Sequence, residues 1–152
     1  MEEFLDEKES KERTFVLIKP DGVQRGFVGK IIRRFEEKGF QLSNLKMTWA
    51  SEDKMKQHSI HLKTRPFFKS YIKYMTSGPV ILMVWEGRNA IRAARLLIGE
   101  TFPHNCSPKM IRGEFSLYVR RGIIHGSDSM EAASREIELW FGDESPIPIF
   151  RM

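Results

Sequence analysis

A histidine beside a flexible glycine is the residue best suited to chemistry in this chain. His125 ends the apolar pair Ile123-Ile124 and precedes Gly126 and the helix-capping run Ser127-Asp128-Ser129. Imidazole is the side chain that most readily acts as a nucleophile or proton carrier near neutral pH. Because helix N-termini favour anions, a histidine on the loop before a helix indicates a site that faces phosphate. A lone histidine is more often structural, so its surroundings must decide between these two roles.

A carboxylate lies at helical spacing from this loop. Ser129 and Glu136 are seven positions apart, so they share one stripe of the helix expected after His125. A carboxylate that bonds one ring nitrogen fixes the imidazole tautomer and leaves the other nitrogen free to attack. Glu136 is therefore the candidate partner of His125, and the alternative is an ordinary solvated helix position.

Several cations are candidates for binding phosphate oxygens. Arginine offers a bidentate fork and lysine a point charge, and phosphoryl transfer needs such charge because its transition state spreads negative charge over three oxygens. The candidates are Lys19 at a strand end, Arg112 at the end of a long loop, and Arg95 in the helical stripe Arg88, Arg92 and Arg95. Arg95 also borders the apolar stripe of its helix, which favours an inward orientation. Each cation alone is more often a surface charge, so the hypothesis depends on their convergence.

Other chemical signals in the sequence are weak. Neither a Walker-type nor a dinucleotide-type glycine loop occurs, and His104-Asn105-Cys106 lacks the paired spacing of a zinc site. The pair Phe67-Phe68 is expected in the core, although one of its rings could stack on a base.

Size and composition predict one domain. The chain has 152 residues, of which 41% are hydrophobic and 30% are charged. We expect a single domain over residues 1–152, with residues 1–12 as a flexible extension. The longest apolar run, Val80 to Trp85, is too short to cross a bilayer, and the start lacks an apolar signal core. One cysteine, Cys106, excludes an internal disulfide and fits a reducing, cytoplasmic compartment.

The net charge is +5, and the isoelectric point is near 9.4. A basic surface favours acidic partners such as nucleotides, nucleic acid or an anionic membrane. A well-solvated surface of mixed charge explains the same balance equally well, so charge alone selects no partner.

Hydrophobic periodicity predicts the elements that must position these residues. The predicted strands are Thr14–Ile18, Phe40–Trp49 with a bulge near Ser43-Asn44, Val80–Trp85 and Phe115–Val119. The predicted helices are Phe27 to Gly39, Ser51–Leu62, Phe67–Met75, Arg88–Ile98 and Met130–Phe141, the last with a capping box of Asp128 and Glu131. Lys19-Pro20-Asp21-Gly22 reads as a turn and Gly99–Arg112 as a long loop. This order predicts a ferredoxin-like α+β sandwich, with an antiparallel four-stranded sheet (βαββαβ), helices on its face, a helical hairpin and a C-terminal helix.

Seven ordered segments resemble the nucleoside diphosphate kinases. They are Thr14-Phe15-Val16-Leu17-Ile18-Lys19-Pro20-Asp21-Gly22-Val23-Gln24, Arg65-Pro66-Phe67-Phe68, Ser77-Gly78-Pro79-Val80, Val84-Trp85-Glu86-Gly87, Gly99-Glu100-Thr101, Ile111-Arg112-Gly113-Glu114-Phe115 and Ile123-Ile124-His125-Gly126-Ser127-Asp128-Ser129. The likeness runs from Thr14 to Phe141, nearly the whole chain.

The resemblance implies an enzyme that moves the γ-phosphate of a nucleoside triphosphate to a nucleoside diphosphate in a ping-pong reaction. It implies that His125 attacks through Nδ1 to form a phosphohistidine and that Glu136 orients it. It further implies Mg²⁺ held mainly by the nucleotide phosphates, and assembly as a homo-oligomer, a hexamer rather than a tetramer. The residues implied to bind the nucleotide are Lys19, Arg95, Thr101 and Arg112 at the phosphates and sugar, and Phe67 against the base. Pro103 matches a proline of the family's nucleotide-side loop.

Two positions depart from the family pattern. Ser59 stands where the family has a tyrosine whose hydroxyl lies near the phosphates and the lysine. Gly122 stands where the family has an asparagine that bonds the ribose 3′-hydroxyl. A lost neutral hydrogen bond costs roughly 0.5–1.5 kcal/mol, so we predict an enzyme slower than typical by about tenfold or less per site. The tail after Phe141 is shorter than in the eukaryotic members, which bears on the assembly of the hexamer.

Two alternatives belong to other functional classes. A catalytically weakened paralogue could serve as a nucleotide-binding oligomeric scaffold, and the two departures motivate it. An RNA-binding module shares the strand order and the basic surface. Against that module, Glu114 and Ser116 stand where its strand signature requires aromatic residues, so nucleic acid is not a predicted partner.

Overall fold

Four antiparallel strands form the central sheet. The computed structural model describes residues 12–99, 109–115, 122–142 and 144, and the structural statements below concern these residues. The strands are β1 (Glu12–Ile18), β2 (Gln41–Thr48), β3 (Val80–Gly87) and β4 (Ile124–Gly126). Their order is β2-β3-β1-β4, and every neighbouring pair is antiparallel. The predicted ferredoxin-like α+β sandwich is confirmed.

Helices pack against both faces of this sheet. They are α1 (Pro20–Gln24), α2 (Val28–Glu37), α3 (Glu52–His58), α4 (Phe68–Met75), α5 (Ala90–Ile98), α6 (Ile111–Phe115) and α7 (Met130–Phe141), with a 3₁₀ turn at Ile60–Leu62. No helix in the described part of the chain combines the length and the apolar character that a membrane crossing requires.

Strand β1 is buried on both faces because its side chains alternate between two cores. Val16 and Ile18 pack in a cluster with residues of α2 and α5. Phe15 and Leu17 pack in a second cluster with residues of α3, α4 and α7. Each fully buried side chain of this kind contributes about 1.5–3 kcal/mol to folding. The unbroken apolar run therefore marks a strand covered on both sides, as the sequence predicted.

The strand predicted from Phe115 begins at a residue that is helical in the structure. Phe115 is the last residue of helix α6, and residues 116–119 lie outside the described part of the chain. The fourth strand is β4, so the prediction that His125 lies on a loop is wrong. Three residues are too few for an alternation pattern to reveal, and pairing with residues 16–18 of β1 defines the strand instead.

Several element boundaries differ from the sequence predictions. The stretch predicted as a turn begins helix α1, which has Pro20 at its first position, where proline's fixed φ and missing N–H cost nothing. Helix α7 is capped by Ser129, whose hydroxyl accepts a hydrogen bond from the Ala132 N–H, so the capping box at Asp128 is wrong by one residue. Strand β1 already includes Glu12, and residues 1–11 lie outside the described part.

Other boundaries agree with the sequence. Ser51 caps α3 by accepting from the Lys54 N–H at 3.2 Å. The pairing of β2 with β3 shifts register between Leu42 and Asn44, where a bulge was predicted. The helix predicted from Ser51 to Leu62 is divided, since α3 ends at His58 and the 3₁₀ turn follows.

Candidate active site

Strand pairing places His125 at the edge of the sheet, next to the end of β1. The backbone of His125 pairs with Leu17, and its side chain is 22% exposed. Gly126 follows it in β4 and allows α5 to approach closely, because a Cβ there would lie 2.5 Å from Cδ1 of Ile98. Gly126 thus permits close packing beside the histidine.

Glu136 and Ser127 hold one side of the imidazole ring. Nε2 of His125 lies 2.5 Å from Oε2 of Glu136, as the helical spacing predicted. The hydroxyl of Ser127 donates to Oε1 of the same carboxylate at 2.6 Å. The side chains of Ser127 and Glu136 are buried, so the carboxylate is oriented by the protein and not by solvent. Among the described residues no hydrogen bond engages Nδ1 of His125, so this nitrogen is available to a ligand.

His58 lies beside His125 and was not predicted as part of the site. Nε1–H of Trp140 donates to Nδ1 of His58 at 3.0 Å. Burial chiefly, and then the neighbouring His125, hold the pKa of His58 well below its usual value. A buried neutral imidazole that accepts from an indole carries its own proton on Nε2. The only sequence signal for His58 is its place at the end of a polar helix, which is a weak one.

Lys19 is a buried cation at the end of β1. Its backbone N–H donates to the carbonyl of Ile123 at 2.7 Å, which ties it to the strand that carries His125. Burial first, and the charge of Arg112 second, lower the pKa of Lys19 to about 8, and Asp21 partly offsets both effects. Asp21 itself accepts a short hydrogen bond from the Tyr74 hydroxyl. The charge of Arg112 acts on Lys19, so the two cations lie near each other.

Arg112 and Arg95 reach the strand of the histidine from two helices. Arg112 lies in helix α6, so the prediction of a loop position is wrong, and its guanidinium donates to the carbonyls of Gly99 at 3.1 Å and Ile124 at 3.0 Å. Arg95 turns inward, and its Nη1 lies 3.5 Å from the carbonyl of Gly126. Carbonyls on both sides of His125 thereby orient the two arginines.

Ile123 has a backbone conformation that is costly for a β-branched residue. Its φ is 48°, in the left-handed region, and its side chain is fully buried. Such a conformation costs about 1–3 kcal/mol and persists where the surroundings impose it. Here the buried side chain and the hydrogen bond from Lys19 impose it, two residues before His125.

The remaining predicted binding residues fall in two groups. Phe67 is half-buried at the start of α4, and the Tyr71 N–H donates to its carbonyl at 2.9 Å, so Phe67 and Tyr71 lie one helical turn apart. Thr101 and Pro103 lie outside the described residues, and their predicted places in the site stay predictions.

The two departures from the family pattern lie at the site. Ser59 is 1% exposed, and its hydroxyl has no hydrogen-bond partner of standard geometry among the described residues. A Cβ at Gly122 would lie 3.2 Å from Nε of Arg112. Gly122 therefore borders the guanidinium group of Arg112, and an added side chain would require a small shift of that group.

The described side chains nearest His125 lack the set of oxygen ligands that Mg²⁺ selects. One ligand atom each from His58, His125 and Glu136 lies within 4.8 Å of the others. Two of these three ligand atoms are imidazole nitrogens, whereas Mg²⁺ selects oxygen ligands. Both oxygens of the carboxylate are also engaged, by His125 and Ser127. A magnesium ion here would have to be held by other oxygens, such as those of phosphates and water.

Two further residues lie beside predicted site residues, and each has a signal in the sequence. Ser127 was grouped with the helix-capping residues, yet its hydroxyl binds Glu136, and the Phe15 N–H donates to it at 3.3 Å. Its position two residues after His125 places both side chains on one face of an extended segment, which is the available signal. Tyr71 is four residues after Phe67, the spacing of neighbours on one helix face.

Comparison with known proteins agrees with this geometry. The family model described as nucleoside diphosphate kinase matches residues 12–145. The chain is 59% identical over 133 residues to nucleoside diphosphate kinase A of Homo sapiens, covering 88% of each protein. It is 58% identical over 135 residues to nucleoside diphosphate kinase A of Rattus norvegicus, covering 89% of each.

Solved structures give the same result. A halophilic nucleoside diphosphate kinase of Halobacterium salinarum, in complex with CDP, superposes with a TM-score of 0.89 at 40% identity, over 93% of this chain and 94% of that one. The nucleoside diphosphate kinase of Encephalitozoon cuniculi superposes with a TM-score of 0.88 at 43% identity, over 91% and 94% of the two chains.

Proposed function

Since this chain belongs to the nucleoside diphosphate kinase family and is a nucleoside diphosphate kinase, we propose that it transfers phosphate through a phosphohistidine on His125. The contact that carries this proposal is the 2.5 Å approach of His125 Nε2 to Glu136 Oε2. It holds a proton on Nε2 and leaves the Nδ1 lone pair for attack. Ser127 keeps the carboxylate in place from its other oxygen.

In the first half-reaction, Nδ1 of His125 attacks the γ-phosphorus of a nucleoside triphosphate. The N–P bond forms as the bond from phosphorus to the β-phosphate oxygen breaks, and the nucleoside diphosphate leaves with that electron pair. The imidazole gains positive charge, which the carboxylate of Glu136 stabilises. In the second half-reaction, a terminal oxygen of another nucleoside diphosphate attacks the same phosphorus, and the N–P bond breaks to restore His125.

The cations supply the electrostatic part of the reaction. Lys19 and Arg112 are close enough that the charge of Arg112 lowers the pKa of Lys19. Arg95 approaches from α5 through the Gly126 carbonyl. We assign these three side chains, with Thr101, to the phosphates and the sugar. Their positive charge offsets the negative charge that spreads over the phosphoryl oxygens in the transition state.

Phe67 is proposed to stack on the base. Stacking uses the face of the ring system and reads no base edge, so it tolerates different bases. Mg²⁺ is the proposed cofactor, and it supplies charge neutralisation at the phosphates that hold it. The nucleoside triphosphates and diphosphates are thus the proposed partners at this site, and the CDP complex belongs to the relative from Halobacterium salinarum.

The test of the nucleophile is covalent labelling with ATP that carries radioactive γ-phosphate. We expect an acid-labile, base-stable label that is lost in His125→Ala together with turnover. The matched control is His61→Ala, since His61 is an exposed histidine of the 3₁₀ turn and should retain the label. Undiminished turnover of His125→Ala would reject the proposal.

Assembly and location complete the proposal. We propose a homo-oligomer, a hexamer rather than a tetramer, on the family pattern. Light scattering after size exclusion distinguishes the two states by mass. We propose a cytoplasmic location, which the single cysteine in a chain without an internal disulfide fits.

A further inference from the structure

We propose that the hydroxyl of Tyr71 donates a hydrogen bond to the phosphates of the bound nucleotide and so supplies the contact that Ser59 cannot make. This inference rests on the proposed function, because it places the phosphates between His125 and Lys19. It assigns a residue outside the sequence-predicted set to phosphate binding.

Tyr71 lies against the cationic part of the site. Nζ of Lys19 is 5.6 Å from the centroid of the Tyr71 ring. The charges of Arg112 and Glu136 both act on the Tyr71 hydroxyl, so it lies within the electrostatic range of these two site residues. The residue is half-buried, so part of its surface is accessible to a ligand.

The hydroxyl is kept in its donating form. Burial raises the pKa of Tyr71 above its ordinary value, and this effect outweighs the opposing influence of Ser59 and Arg112. A protonated phenol donates one hydrogen bond, and donation to a charged phosphate oxygen is stronger than donation to a neutral acceptor.

Ser59 marks the space next to Tyr71 as part of the site. Its hydroxyl neighbours that of Tyr71, is buried, and has no hydrogen-bond partner of standard geometry among the described residues. A serine hydroxyl is one carbon from the backbone, so from this buried position it cannot reach where a tyrosine hydroxyl at the same residue would end. Tyr71 brings a phenol to this space from α4 instead.

The placement on α4 also links the two ends of the nucleotide. Phe67 and Tyr71 are one helical turn apart, on one face of the helix. A base stacked on Phe67 would therefore direct its phosphates past Tyr71 toward Lys19. One helix thus provides a contact to each end of the ligand.

The first test is Tyr71→Phe, which keeps the ring over Lys19 and removes only the hydroxyl. We expect kcat/KM for the nucleoside diphosphate to fall about tenfold, with a weaker ADP affinity in calorimetry and an unchanged melting temperature. A value within twofold of the parent enzyme, while His125→Ala is inactive, would overturn the Tyr71 assignment alone. Activity retained in His125→Ala would instead overturn the proposed function.

The second test removes the phenol hydroxyl at residue 71 and introduces one at residue 59. Ser59→Tyr alone should give no gain, because Ser59 is 1% exposed and the Tyr71 ring occupies the adjacent space. Tyr71→Leu should lose activity as Tyr71→Phe does, and adding Ser59→Tyr to Tyr71→Leu should restore most of it. A purely structural role of Tyr71 predicts a lowered melting temperature in both single Tyr71 variants and no recovery in the double variant, and that result would reject the inference.

Discussion

The rings of His58 and His125 lie 4.7 Å apart between centroids and are nearly perpendicular, at 79°. Both histidines approach the same oxygen of Glu136, at 3.7 Å for His58 and 2.5 Å for His125. Because the pKa of His58 is well below its usual value, His58 stays neutral at physiological pH. The negative charge of Glu136 is therefore available to His125, the ring that we propose is phosphorylated.

Replacing the carboxylate tests this division of charge. Glu136→Gln keeps the shape but removes the charge, so the imidazole loses both its orientation and its counter-charge. We expect the rate of phosphohistidine formation, measured by rapid quench with labelled ATP, to fall about 10- to 100-fold. Glu138→Gln, an exposed position on the same helix, is the matched control and should keep the parent rate. Equal rates in the two variants would contradict the role of Glu136.

The indole of Trp140 is expected to set the tautomer of His58. Trp140→Phe removes the donor to Nδ1 while preserving a ring beside Phe15, which Trp140 stacks on at 6.5 Å. A proton on Nδ1 could then reach Oε2 of Glu136, 3.7 Å away, and compete with His125. We expect slower phosphorylation and a loss of about 1–3 kcal/mol in the free energy of unfolding. Nitrogen-15 NMR of His58 should report the exchanged tautomer, and an unchanged spectrum would count against this prediction.

Lys19 is expected to cost stability at neutral pH. Its pKa is lowered from 10.5 to about 8 in the folded protein, so the folded state releases this proton before the unfolded state does. The cost of burying the ammonium is thus fully present below pH 8 and is relieved as the pH rises toward 10.5. We expect Lys19→Met to raise the free energy of unfolding at pH 7 by up to about 3 kcal/mol and to lower phosphoryl transfer strongly.

Urea titrations at several pH values check this prediction. The stability advantage of Lys19→Met over the parent protein should shrink as the pH passes from 8 to 10.5. Lys38→Met, at an exposed lysine, should show no such dependence. An advantage that stays constant over this range would mean that the burial of Lys19 is not its source.

Gly122 can be tested by two substitutions that differ only beyond Cβ. Both place a Cβ 3.2 Å from Nε of Arg112, which two carbonyls hold in place. Gly122→Ala adds this crowding alone and should not raise turnover. Gly122→Asn adds an amide that can bond the ribose 3′-hydroxyl, and we expect it to raise kcat/KM by up to about tenfold. A Gly122→Asn enzyme no faster than Gly122→Ala would show that the amide makes no such bond.

Local hydrophobic periodicity in the sequence predicted most of the strands and helices. The unbroken apolar run in β1 reflects the burial of a whole strand. The bulge of β2 and the Ser51 cap depend on contacts within a few residues. Local residue order encodes both kinds of feature. The contact of Glu136 with His125 was within reach for a similar reason, since a helix of regular geometry carries a side chain back toward the loop or strand that precedes it. Even Ser127 could have been found from its spacing to His125.

The rest of the site depends on how distant elements pack. Alternation placed the last strand at Phe115, but a three-residue strand has too short a pattern to be detected, and its pairing with β1 decided that His125 lies on β4. His58 meets Glu136 across α3 and α7, and Tyr71 meets Lys19 across α4 and the end of β1. The sequence by itself determined the strands, helices and candidate chemical groups because those follow from local periodicity. Only the tertiary structure decided which groups converge, because the distances between side chains far apart in the chain are determined by the packing of the whole core.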